Sequence, residues 1–258
     1  MFTSFSNHFF NRYLTVLGVV AVSACLALAA QTSGDRAELI LAALDRNQVA
    51  KTTHSVGTIS VEDRYGTKIS RFESYTQDAD KSLLAFTSGD EKGQKILRLK
   101  DTIYLAYPEA DKAVKIQGAA LRDSVAGSDF SFEDMNGERG YASRYNPTIA
   151  GEENLNGAAC TVLELNAKKP GLAYPYVKIW VATADSAVRR IEEYSQNKRL
   201  LKRQEVLAVK TIAGKTVPVE MVMSDLLKGK SKTTIKLDTV EWDKPLDAKL
   251  FGLAELSW

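Results

Sequence analysis

The feature that most constrains this chain is a recurrence. From Thr52 onward, short runs alternating apolar and polar residues arrive about every ten residues, bounded by Gly, Asp, Asn or Pro. Connections this short suit an antiparallel meander, because parallel strands need a crossover of a dozen or more residues. The first run is Thr52–Glu62 and the last is Thr233–Val240. Tyr65-Gly66, Gln196–Arg199 and Ala213–Lys215 have the composition of hairpin turns. The count predicts about ten or eleven strands, and a sheet of that size twists and curls towards a barrel. Only residues 118–157 break the pattern. They are too many for a plain connection and predict a short helix and a crossover.

Two helices frame the strands. Asp35 is placed to cap the first and Glu38 to reach back to it. Ala37, Ile40, Leu41 and Leu44 then form one apolar stripe. Near the end, Asp243 is placed to cap a helix opening at Pro245, with Leu246, Leu250, Phe251 and Leu253 as its apolar side. The expected class is mainly β with helices, an α+β domain built on a curved antiparallel sheet. Val217, Val219, Met221 and Met223 share one strand face. If that face points inward it lines an apolar cavity, where thioether side chains adapt to varied ligand shapes. The competing reading is a dry core plugged by the helices.

The first 29 residues read as a secretory signal peptide: Arg12, an apolar run from Tyr13, then Ala27-Leu28-Ala29 as a cleavage site. Val22-Ser23-Ala24-Cys25 also matches a lipobox, which would place a lipid on Cys25. The apolar run continues past Cys25, which favours cleavage after Ala29 and a soluble periplasmic body, residues 30–258, as one domain. The alternative is a membrane-anchored lipoprotein. Cys160, in a strand-like run, is then left without a disulfide partner and reads as a small buried residue.

Composition narrows function. Lys plus Arg is 34 and Asp plus Glu is 32, a net charge of +2, which disfavours a nucleic-acid binder. His54 is the one histidine outside the leader, and with so few His and Cys neither a catalytic triad nor a zinc cluster is expected. Without a nearby carboxylate in sequence, His54 reads as structural or exposed. Asp129, Glu133 and Asp134 are spaced for a metal or acid–base cluster, but Ser131 with Asp134 has capping-box spacing and favours loop fixation. Phe130 and Phe132 read as anchors of that loop. Arg64, Arg71, Arg189 and Arg190 read as solvated strand charges. No enzymatic activity and no cofactor are expected.

Several stretches resemble one family. They are Asp101–Asp111, Lys115-Ile116, Cys160–Leu165, Tyr176–Val181, Arg190–Tyr194, Leu200–Lys202, Pro245–Phe251 and, most specifically, Gly127-Ser128-Asp129-Phe130-Ser131-Phe132-Glu133-Asp134. Together they resemble bacterial outer-membrane lipoprotein-sorting proteins, the LolA/LolB-like periplasmic carriers, in a treponemal-type branch. The resemblance implies a half-open barrel with helices over its concave face, and binding of acyl chains without catalysis. It implies lipoprotein or lipid cargo, an inner-membrane transporter and an outer-membrane acceptor as partners, and a monomer. A second reading is an envelope binding or sensory module that recognises lipidated or misfolded proteins and regulates a membrane partner.

Overall fold

The computed structural model describes residues 33–256, apart from positions 49, 79, 111 and 136–139. The leader, its cleavage site and Cys25 lie outside the described residues. Among those described, one helix, α1 (33–48), precedes a sheet of thirteen strands. The strands are β1 (Thr52–Asp63), β2 (Gly66–Gln77), β3 (Lys81–Phe86), β4 (Lys95–Leu99), β5 (Thr102–Ala106), β6 (Val114–Ile116), β7 (Tyr145–Leu155), β8 (Ala158–Ala167), β9 (Tyr176–Ala182), β10 (Val188–Tyr194), β11 (Leu200–Ile212), β12 (Lys215–Asp225) and β13 (Lys232–Trp242).

Their spatial order is β6-β5-β4-β3-β2-β1-β13-β12-β11-β10-β9-β8-β7. Two meanders are thus joined side by side where β1 pairs with β13, from Thr53–Trp242 to Glu62–Lys232 with a one-residue register shift between Val56 and Gly57. The sheet is curved, antiparallel and unclosed, and β6 and β7 are its two edges. Because these edges are consecutive in sequence, the chain between them has to travel from one side of the sheet to the other. That is why residues 117–144 are long and irregular.

Alternation assigns the faces. Ile59, Val61, Phe72, Phe86, Ile96 and Ile103 form a buried cluster on the inner face of the first half, covered by Val125 and Phe132 of the crossover. Leu163, Leu165, Val177, Ile179 and Ile191 form its counterpart in the second half, covered by Ala37, Leu41 and Leu44 of α1. On the outer face, Leu83, Leu97 and Ala106 receive Phe251 and Leu256 from the C-terminal segment.

The structure departs from the sequence expectation at three places. The strand count is thirteen rather than ten or eleven, chiefly because β7 carries Pro147 and Gly151 and does not read as a strand. Both are tolerated because β7 is an edge, and the register slips between Ile149 and Gly151. The C-terminal helix is instead two 3-10 turns, 248–251 and 253–256, and the first is capped by Asp247, whose carboxylate accepts the Lys249 amide at 2.9 Å. Asp243 instead ties the end of β13 to the start of β1, accepting the Lys51 amide at 2.8 Å. Asp35 lies within α1, not ahead of it.

The stripe of α1 is its attachment to the sheet. Leu41→Ala is expected to cost about 3 kcal/mol, whereas Leu39→Ala, on the exposed side of the same helix, costs under about 0.5 kcal/mol. Urea unfolding of the two variants checks the difference.

Candidate functional site

The inner face is apolar in each half, and its polar groups gather towards one end of β10–β13, where the crossover is fastened. The crossover begins with 3-10 turns at 118–122 and 125–127. Ala126 and Gly127 follow one another with φ of 52° and 71°, a left-handed pair that turns the chain sharply inward and suits glycine at the second position. The Val125 amide then donates to the Phe130 carbonyl at 2.8 Å and closes the loop.

Asp129 is the fastening point, with none of its surface exposed. Its carboxylate accepts from the Thr233 hydroxyl at 2.7 Å, from the Asp225 amide at 3.1 Å and from the Ser231 hydroxyl. Its own amide donates to Thr233 Oγ1 at 2.8 Å. The crossover is thereby bound to the turn joining β12 and β13. Lys228, in that turn, adds bonds to the Ser128 carbonyl at 2.5 Å and to the Ser124 hydroxyl. Phe132 is buried in the apolar cluster beneath, and Phe130 is half-buried.

A second polar knot lies five residues further on. Asp134 accepts the Ser131 amide at 2.7 Å, the Tyr174 hydroxyl at 2.6 Å and the Lys202 ammonium. Lys202, itself buried, also donates to the Ser131 hydroxyl at 3.2 Å. Burial, with the charge of Asp134, raises the Tyr174 hydroxyl far above its ordinary range. Glu193 stands opposite Lys202 across β10 and β11. Burial, followed by the charge of Asp134, pushes its carboxyl up to about 8, while Lys202 and Arg144 pull it down. Part of the Glu193 side chain still meets solvent, so the effect on stability is moderated.

Asp134 holds the Ser131 amide as their capping spacing predicted, Asp129 ties the loop to distant strands, and Glu133 is half-buried. The predicted row lies on β12. Val217, Val219 and Met223 are buried and Met221 is half-buried, with Gln204 Nε2 3.1 Å from its sulfur. By register Met221 lies between Val206 of the α1-covered half and Ile235 of the crossover-covered half, while the β11–β12 pairing shifts between Val206 and Val209 and Val217 stands opposite Lys210. Sequence reasoning missed Lys202, Glu193, Tyr174 and Thr233. The one available signal was a lysine at an inward position of β11, two residues before Gln204 and four before Val206.

His54 is not without carboxylates. They arrive across strands: Nε2 is 2.7 Å from Glu73 and Nδ1 3.5 Å from Glu241, and the ring stacks on Tyr75 at 4.6 Å. The Tyr75 hydroxyl, then His54, holds the Glu73 carboxyl below its usual range. Arg71 pairs with Asp238, Arg189 with Asp185 and Arg190 with Glu205, near or at the surface. Cys160 is buried, and burial raises its thiol.

Removing the Asp129 carboxylate leaves the Thr233 and Ser231 hydroxyls and the Asp225 amide without their acceptor. Asp129→Ala is expected to cost about 3 kcal/mol in urea unfolding, with Asp129→Asn recovering part of that. Glu193 gives a pH signature. Between its ordinary value and about 8 the folded protein holds a proton that the unfolded chain releases. This contribution to stability is full at acid pH and is lost as pH rises through about 8. Glu193→Gln is therefore expected to stabilise the protein at pH 8.5 relative to wild type by at least about 1 kcal/mol more than at pH 5, read from melting curves at both.

A family model described as that of an uncharacterized protein matches residues 78–258. No curated protein matches the chain. Among solved structures, a DUF1329 family protein from Desulfovibrio piger is similar over 87% of this chain and 99% of its own, with a TM-score of 0.80 and 21% identity. A putative outer membrane lipoprotein-sorting protein domain from Vibrio parahaemolyticus covers 86% of this chain and 99% of its own, at TM-score 0.74 and 17% identity. A LolA superfamily protein from Nitrosomonas europaea covers 83% and 96%, at TM-score 0.67 and 21% identity. At these identities the likeness is one of fold. The family model covers more than half of the chain, so the chain belongs to that family of uncharacterized proteins, and its fold, an open half-barrel covered by a helix and a crossover, is the one seen in the LolA superfamily and lipoprotein-sorting structures.

Proposed function

We propose that the protein is a periplasmic, non-catalytic carrier that shelters the acyl chains of lipoproteins or lipids on its inner face for sorting to the outer membrane. The observation that carries this reading is the way the face is covered. Its apolar surface lies under two separate pieces, α1 and the crossover, and the crossover is held towards one end of β10–β13 by directional polar bonds. An acyl chain in water costs about 0.8 kcal/mol per CH₂, so a carrier needs an apolar surface whose cover is exchangeable. Solved structures of the same fold include a lipoprotein-sorting domain, which supports the assignment. The Val217–Met223 row on β12 is the proposed acyl contact. An inner-membrane transporter would supply cargo and an outer-membrane acceptor would receive it.

Uptake of a fluorescent fatty acid by the delipidated protein tests the reading. Met221→Glu should abolish uptake, because an unpaired carboxylate would face hydrocarbon. Val219→Trp should weaken uptake while the melting temperature holds. The carrier reading fails if wild type takes up no probe and Val219→Trp only destabilises, by about 1–3 kcal/mol of overpacking. A binding module would then be the better description.

A further inference from the structure

The strand registers bring three turns to one end of the sheet: 168–175 between β8 and β9, 195–199 between β10 and β11, and 226–231 between β12 and β13. Neighbouring turns are two strands apart, about 10 Å. With Lys232 at the start of β13, these segments carry Lys168, Lys169, Lys198, Arg199, Lys230 and Lys232 in exposed positions, and no acidic residue. Lys228 adds a seventh cation, although its ammonium is turned back onto the crossover. The connections at the opposite end carry Asp78, Asp80, Asp101, Asp185 and Asp243 against Lys51, Lys100 and Lys244. The β1–β2 hairpin and the β3–β4 turn, further along the same end as the three basic turns, carry Asp63, Asp90 and Glu91, so the positive charge is concentrated in those three turns and not along the whole end.

The basic end is also where apolar side chains stand in water. Leu226 and Leu227 are 44% and 57% exposed. Their backbone is firmly held: the Leu226 amide donates to the Leu201 carbonyl at 2.8 Å and the Leu227 amide to the Asp225 carboxylate at 2.9 Å. Since β13 pairs with β1, the β1–β2 tip is the next turn along this rim, and it presents Tyr65, 80% exposed.

We propose that this rim docks onto an anionic phospholipid bilayer. Lys and Arg take the headgroup phosphates, and Leu226, Leu227 and Tyr65 enter the interface. Charge complementarity selects the occupant: an acid-free run of cations across three turns meets a surface of dispersed negative charge, and long lysine chains reach it while the apolar tips insert. The dock would also bring the membrane against the turn that fastens Asp129 and Ser128. The inference does not depend on the acyl-carrier reading.

Cosedimentation with vesicles tests it, using the Cys25→Ser protein so that no lipid anchor contributes. Binding is expected to vesicles of one part phosphatidylglycerol to three parts phosphatidylcholine, weakening as salt rises, and not to phosphatidylcholine alone. Each rim cation contributes about fivefold to partitioning, so Lys198→Gln, Lys230→Gln and Lys232→Gln together should lower it about a hundredfold. Leu226→Ser with Leu227→Ser should lower it about tenfold. Lys100→Gln with Lys244→Gln, at the opposite end, should leave it unchanged. The proposal is overturned by no vesicle binding at low salt, as an acidic protein partner would give, by equal binding to neutral vesicles, or by full binding of the triple variant. Fatty-acid uptake by the triple variant is expected to persist. Vesicle binding without uptake in wild type would leave the dock standing and remove the carrier role.

Discussion

An open sheet with an apolar inner face cannot remain uncovered in water, and the rest of the molecule follows from that constraint. The two edges, β6 and β7, stand at opposite sides of the thirteen-stranded sheet and are consecutive strands in sequence. The connection between them has to cross the inner face, and it becomes the cover of one half. The other half is closed by α1, whose stripe of Ala37, Leu41 and Leu44 replaces water over β8, β9 and β10. Cover and sheet are thus specified by one topological fact.

What fastens the cover differs in kind from what fills the halves. Apolar contact is non-directional and grows with area, so it holds the crossover down without fixing where it sits. The bonds to Asp129 and Asp134 are directional, and they set its position against the β12–β13 turn and β11. Buried polar and ionic contacts of this sort contribute little net stability beside their desolvation cost, but each must be satisfied. A segment fastened this way is well placed and moderately held, the combination that an exchangeable cover requires.

The meander was legible because hairpin turns leave strong local marks: Tyr65-Gly66, Gln196–Arg199 and Ala213–Lys215 all fall at strand junctions. The stripe of α1 was equally plain, since Ala37, Leu41 and Leu44 are among the least exposed residues. What the sequence hid was pairing across distance. Nothing near Asp129 announces Thr233, about a hundred residues away, and Lys202 resembles any strand lysine until the register places it opposite Glu193. His54 and Glu73 are neighbours only through the pairing of β1 with β2. The C-terminal segment misled because Asp243 and Pro245 have helix-opening chemistry, while Asp247 holds the cap.

The edges that make the crossover necessary have another consequence. A half-barrel offers unpaired backbone groups on two sides, and such edges invite copies of the same chain to add on and polymerise. One edge, β6, is three residues long and gives little purchase. The other, β7, is eleven residues long, and it is interrupted by Pro147, by the irregularity at Gly151 and by the paired acids Glu152 and Glu153. The residues that made β7 unrecognisable as a strand are those that keep an open sheet from becoming a fibre.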